Sequence, residues 1–156
     1  MNTIVTIDNI KKVIAELRKK GLTIAFTNGC FDLLHRGHVY YLEKAKQKAD
    51  ILVLGLNSDS SVQRLKGADR PLVKEEDRAF VLSRLESVDV VCLFAEDTPI
   101  EIIKIVKPDF LIKGGDYSID QIIGHEFVQK NGGKVLTIPL VEGKSTTKLI
   151  DQISNQ

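Results

Sequence analysis

The sequence predicts an α/β fold, doubly wound on a mostly parallel five-stranded sheet of the Rossmann-like kind, from three observations. Five nearly unbroken apolar runs recur along the chain, stretches of helical spacing separate them, and none of the runs alternates as a half-exposed strand does. Strand and helix thus take turns from end to end, the pattern of right-handed βαβ crossovers.

The first element is a helix in "DNIKKVIAELRKKG". Ile10, Val13, Ile14 and Leu17 recur at helical spacing, Asp8 or Asn9 is placed to cap the start, and Gly21 to end it. "LTIAFTNG" is the first strand, and "HVYYLEKAKQKA" is the helix after it. The second strand is "DILVLGLN" at 50–57. An irregular piece, "KGADRPL" at 66–72, is marked as a loop by Gly67 and Pro71. "KEEDRAFVLSRLES" reads as a helix, "VDVVCLF" at 88–94 as the third strand and "TPIEIIKIVK" as the next helix. "DFLIKGG" at 109–115, "GHEFVQKN" and "KVLTIPL" at 134–140 complete the alternation, and a last helix follows Ser145. No repeat, low-complexity tract or linker divides residues 1–156, so a single domain is expected.

Composition narrows the function. The chain is 43% hydrophobic and 28% charged with a formal net charge of +1, which argues against a polybasic nucleic-acid binder and a disordered tail. Cys30 and Cys92 are far apart and form no CxxC, so a reducing, cytoplasmic setting is expected rather than a disulfide framework or a zinc site. No segment reaches the roughly 18 uncharged apolar residues of a membrane helix.

In open α/β sheets, ligands bind beyond the carboxyl ends of the strands, and two loops there carry chemistry. "GCFDLLHRGH" at 29–38 places His35 and His38 at a strand-to-helix transition, where unpaired N–H groups and the helix dipole favour an anion. Two imidazoles three residues apart can donate to one phosphate, and Gly37 leaves room for a ligand to approach the backbone. The plainer alternative is that one histidine caps and the other packs. A metal site fits less well, because no third ligand pattern is near and the i,i+4 spacing is absent. "EGKSTTKLIDQI" puts Ser145, Thr146 and Thr147 at the start of the last helix, where one hydroxyl would suffice as a cap and three suggest a phosphate cradle. Lys66, Arg70, Arg78 and Lys113 are basic groups able to gather negative charge. Gly114 permits close backbone approach, and Asp116 is placed to accept from a base or hydroxyl or to form a turn. Asp32 reads as a contact to a substrate hydroxyl or a metal.

"FTNGCFDLLHRGH" with the later "STT" resembles the nucleotidylyltransferases that carry an HxGH signature, over residues 23 to about 150. Within that superfamily, "GCFDLLHRGHVYYL", "NSDSSVQRLKGADRPL", "KGGDY" and "GKSTT" together resemble the adenylyltransferases of D-glycero-β-D-manno-heptose 1-phosphate. The resemblance implies that ATP and heptose 1-phosphate give ADP-heptose and pyrophosphate, with Mg²⁺ carried chiefly by the nucleotide, for lipopolysaccharide core or a surface glycan. It implies catalytic roles for His35, His38 and Lys66. Gly29, Cys30, Phe31, Gly37, Lys113, Gly114, Asp116, Ser145, Thr146 and Thr147 would hold the nucleotide, and Asp32, Asn57 and Arg78 the acceptor. A homodimer is implied too, and with no kinase segment in these residues, a separate sugar kinase as supplier. Glycerol-3-phosphate cytidylyltransferases share the HxGH and Ser-Thr-Thr stretches but carry an arginine where this chain has Leu140. A nucleotide-binding sensor, using the same phosphate sites without turnover, is the alternative of another class.

Overall fold

The computed structural model describes residues 2–156. Six strands, all parallel, form one sheet in the order β1-β4-β3-β2-β5-β6. Five are the apolar runs of the sequence: β2 (Ile24–Gly29), β3 (Ile51–Asn57), β4 (Val90–Phe94), β5 (Phe110–Gly114) and β6 (Lys134–Ile138). The sixth corrects the expected count. β1 (Thr3–Thr6) pairs with β4 at the sheet's edge, and its four residues alternate between partly buried and exposed, so it lacks the unbroken apolar signature of the others.

The helices are α1 (Ile7–Lys19), α2 (Arg36–Lys46), α3 (Asp59–Lys66), α4 (Glu75–Ser83), α5 (Ile100–Val106), α6 (His125–Lys130) and α7 (Thr146–Ser154). α1 starts one residue before the expected Asp8 or Asn9 cap. Thr6 is its N-cap, and Asn9 turns back to donate to the Thr6 hydroxyl. α3 was hidden in the sequence because its only large apolar residues are Val62 and Leu65. Ser58 caps it by accepting from the Ser61 N–H, and Gly67 ends it.

Successive strand residues point to opposite faces, so each apolar run feeds two cores. Phe26, Val53, Val90 and Leu111 pack with Ile10, Ile14, Ile102 and Ile103 of α1 and α5. Ala25, Leu52, Leu54 and Ile112 pack with Leu42, Ala45 and Leu82 of α2 and α4. Burial on both faces explains why the strands do not alternate in hydropathy.

Carboxylates tie the amino ends of the strands. Asp109 accepts from the Ile24 N–H and Arg18, while Asp89 accepts from the Leu52 N–H and Lys46. The carboxyl ends are left to the ligand. β2 sits between β3 and β5, so the chain winds outward in both directions from it and opens a crevice beyond the ends of β2 and β5.

Candidate active site

The crevice is built first from the turn between β2 and α2. Phe31 adopts the left-handed region (φ 46°), folding its ring back so that a Cβ at Gly29 would lie 2.8 Å from it. A side chain there would have to displace the Phe31 ring. His35 is the N-cap of α2, and its Nδ1 accepts from the Gly37 N–H at 3.0 Å. His38 reciprocates, its Nδ1 accepting from the His35 N–H at 3.2 Å. The two rings stack with centroids 3.9 Å apart. A Cβ on Gly37 would stand 2.9 Å from the His35 ring. The glycine thus makes room for the His35 ring, and it also lines the crevice, as its position suggested.

This double cap decides the chemistry of both rings. A nitrogen that accepts a hydrogen bond carries no proton, so each neutral imidazole holds its hydrogen on Nε2. Burial lowers the His38 pKa to about 4, with the neighbouring His35 adding to the effect. Burial, then the charge of Lys144, also lowers that of His35. At neutral pH the pair therefore offers two uncharged N–H donors.

The sign of the linkage follows. Between the usual histidine value near 6.5 and about 4, the unfolded chain takes a proton that folded His38 refuses. Stability due to this residue is full above pH 6.5 and falls as pH drops through that window, by on the order of 3 kcal/mol in all. Urea midpoints at pH 7 and pH 4.5 should show the loss in wild type and a smaller one in His38→Ala.

The second wall comes from the start of α7. Ser145 caps that helix, its Oγ accepting from the Lys148 N–H. Thr146 donates to the Leu33 carbonyl at 3.0 Å, which pins the last helix start to the first histidine turn. Thr147 makes no side-chain hydrogen bond among the described residues and lines the crevice. Of three hydroxyls, one caps, one ties and one is open. Tyr41 ties α2 to the sheet beneath: the Thr27 hydroxyl of β2 meets its oxygen at 2.7 Å, and the phenol donates to the Ile112 carbonyl of β5. Burial raises the tyrosine pKa to about 12, so this donor stays protonated.

Together these elements enclose a crevice of about 550 Å³, within the range of small-molecule sites. Gly29, Cys30, Phe31, Asn57, Lys66, Lys113 and Gly114 line it with both histidines and the Ser-Thr-Thr stretch. Its charge is one-sided. Among the described residues, Lys66, Lys113 and Lys144 carry no ion pair, whereas both carboxylates in the lining are already engaged, Asp97 with Arg64 and Asp32 with Arg70. Burial lowers the Lys113 pKa, against a weaker opposite pull from Cys30. An anion is the complementary ligand.

Three residues differ from their expected places. Asp32 lines the crevice with its carboxylate already engaged: it accepts from the Leu72 and Val73 N–H groups and from Arg70 Nε at 2.7 Å. Burial alone would raise its pKa; those donors outweigh it and hold the carboxyl below its usual range. Arg78 lies outside the lining and is 2% exposed, its guanidinium spent on the carbonyls of Val73, Cys30 and Asn57 and on Asp59. Asp116 stands exposed beyond the crevice, because Gly115 (φ 106°) turns the chain at the end of β5. Tyr41 and Ile123 line the site without having been singled out for it, and Leu140, which stands where the cytidylyltransferases carry an arginine, lines it too. Tyr41 sits inside an ordinary helical apolar pattern, and its role needs the partner strand to be known. Among the described residues, no group of three or more His, Cys, Asp or Glu side chains is placed to hold a metal ion, and no helix is long and apolar enough to cross a membrane.

Comparison with known proteins agrees with this geometry. The cytidylyltransferase-like family model matches residues 26–151. A bifunctional protein HldE of Trichlorobacter lovleyi is 51% identical over 92% of this chain, which covers 29% of that protein. The HldE of Magnetococcus marinus is 53% identical over 94% of the chain, covering 30% of its length. The chain thus spans under a third of these curated relatives. The crystal structure of a lipopolysaccharide core biosynthesis protein from Thermoplasma volcanium superposes with a TM-score of 0.63 at 28% identity, covering 80% of this chain and all of that one. A pantothenate synthetase from Thermus thermophilus shares the fold (TM-score 0.59, 16% identity, 90% of this chain and 62% of that one).

Proposed function

This chain belongs to the cytidylyltransferase-like family, and on that premise we propose that it transfers the adenylyl group of ATP to D-glycero-β-D-manno-heptose 1-phosphate, releasing pyrophosphate. The observation that carries nucleotidyl transfer is the stacked, doubly capped pair of neutral histidines facing the open end of α7 across a cationic crevice. The four separated motifs choose the acceptor, and the names borne by the relatives accord with it.

An oxygen of the acceptor phosphate attacks the α-phosphorus, a P–O bond forms, and the bond to the β-phosphate oxygen breaks. No general base is needed, because a phosphate monoester with a second pKa near 6 is largely dianionic at neutral pH. Catalysis is alignment and charge stabilisation. His35 and His38 donate from Nε2 to the α- and β-phosphate oxygens as charge moves onto pyrophosphate. Thr147 and the unpaired N–H groups of the α7 start hold the β- and γ-phosphates, Lys113 balances their charge, and Lys66 faces the acceptor phosphate. The donor set suits Mg²⁺ delivered with the nucleotide: both carboxylates in the lining are occupied, so phosphate oxygens and water would hold the ion, which supplies further charge neutralisation when bound. We place the reaction in the cytoplasm, where ATP is supplied and the unpaired thiols of Cys30 and Cys92 stay reduced.

The test is pyrophosphate release by the purified protein with Mg²⁺ and paired substrates. Turnover is expected with ATP and heptose 1-phosphate, and not with CTP and glycerol 3-phosphate. The reverse preference would transfer the protein to the cytidylyl branch. ATP binding with no turnover of any acceptor would make it a sensor.

A further inference from the structure

The crevice has two cationic wings, one on each side of the histidine turn. Lys113, Lys144 and the start of α7 form the wing beyond β5 and β6, whereas Lys66 and Arg70 form the wing beyond β3. A reaction that joins a triphosphate to a phosphate monoester needs two anion sites, and the α7 wing, with its open hydroxyl and helix N–H groups, suits the triphosphate. We propose that Arg70 is the acceptor-phosphate ligand of the other wing and that Asp32 is its positioning residue, an assignment that rests on the transferase reading above.

The geometry that supports it is specific. Arg70 gives only its Nε–H to Asp32, at 2.7 Å. Its two Nη groups have no partner, and no buried side-chain nitrogen or oxygen among the described residues lacks one, so the Nη groups are open to solvent. Arg70 lines the crevice and its side chain is 17% exposed, so that opening faces the ligand space. A guanidinium held at Nε still presents four N–H bonds in one plane, the geometry that grips two phosphate oxygens at once.

Asp32 fixes where that plane lies. Its side chain is 1% exposed, and it also accepts from Leu72 and Val73, so one buried carboxylate holds Arg70 and the two loop residues after Pro71 together. The same carboxylate sits three residues before His35. The acceptor wing and the catalytic pair are therefore anchored to one turn, which sets the distance between the attacking phosphate and the histidine donors. Three protein donors already engage both oxygens of Asp32, which leaves about one acceptor position for a sugar hydroxyl or a metal.

The test separates the two wings. Wild type, Arg70→Gln, Arg70→Lys and Asp32→Asn are titrated calorimetrically with ATP alone and with heptose 1-phosphate alone, and KM and kcat are measured by pyrophosphate release. Arg70→Gln should weaken heptose 1-phosphate binding and raise its KM about ten- to a hundredfold, the worth of a lost charge-assisted pair, with the ATP dissociation constant within about threefold. Arg70→Lys should not restore it, because lysine cannot hold Asp32 and offer a planar pair together. Asp32→Asn should raise the acceptor KM severalfold with Arg70 intact, the mark of positioning. Equal losses for ATP and acceptor, a loss for ATP alone, or no change in either would overturn the proposal, as would a wild type that binds no heptose 1-phosphate. If wild type binds the phosphate ester but releases no pyrophosphate, the transferase reading falls and the binding arm still decides the role of Arg70.

Discussion

His38→Ala is expected to lower kcat by about a hundredfold to a thousandfold, the usual consequence of removing one donor aimed at developing charge, while the ATP dissociation constant changes far less. The reason lies in the tautomer. His38 is locked by its own cap as an Nε2–H donor, so it gains most when charge builds on the bridging and β-phosphate oxygens and little in the ground state. Alanine also removes the acceptor for the His35 N–H, which is a structural effect. His38→Gln separates the two, since glutamine at this helix position can restore the capping bond. The glutamine variant should recover the thermal midpoint and only part of the rate. Full activity in His38→Ala would end the assignment of the histidines as transition-state donors.

How far these features were legible from the chain alone depends on whether their cause is local. The five buried strands, the histidine turn and the start of the last helix all have local signatures: apolar runs, a strand-to-helix boundary, consecutive hydroxyls. Their convergence followed from one topological rule, and the Thr146 bond to Leu33 across 113 residues is the contact that realises it. β1 and α3 were not legible, because a four-residue edge strand and a helix with two large apolar residues have too little periodicity to stand out. The N-cap at Ser58 and Gly67 beyond the helix were the available signals for α3. Asp32 and Arg78 were read by charge type. Their partners lie 38 and 41 residues away for Asp32 and up to 48 for Arg78, distances at which no motif rule operates. Gly37 was legible as a crevice residue, but its second reason was not, since only the folded ring of His35 reveals what occupies the space a side chain would need.

Arg78→Met is expected to destabilise the fold by about 3–5 kcal/mol, the range for removing one member of a buried ionic network, and to lower the thermal midpoint by on the order of 10 °C. Its side chain is 1% exposed, and it joins four segments: α4, the Val73 loop end, the turn after β2 and the end of β3, with Asp59 at the start of α3 as counter-ion. Methionine fills the volume but leaves three carbonyls without this donor and Asp59 without its cation. Arg78→Lys should lose nearly as much, because one ammonium cannot span donors that the guanidinium spreads over a plane. Urea unfolding measures the loss directly. A normal midpoint with a raised acceptor KM would show instead that Arg78 turns outward to the substrate. The contrast with Arg70 makes the argument physical: both arginines lie within one loop-and-helix segment and each pairs with an aspartate. One has every edge of its guanidinium taken by the protein, and the other keeps its outer edge free at the crevice. The count of unspent N–H bonds, not the charge, separates the arginine that holds the fold from the one that faces the ligand.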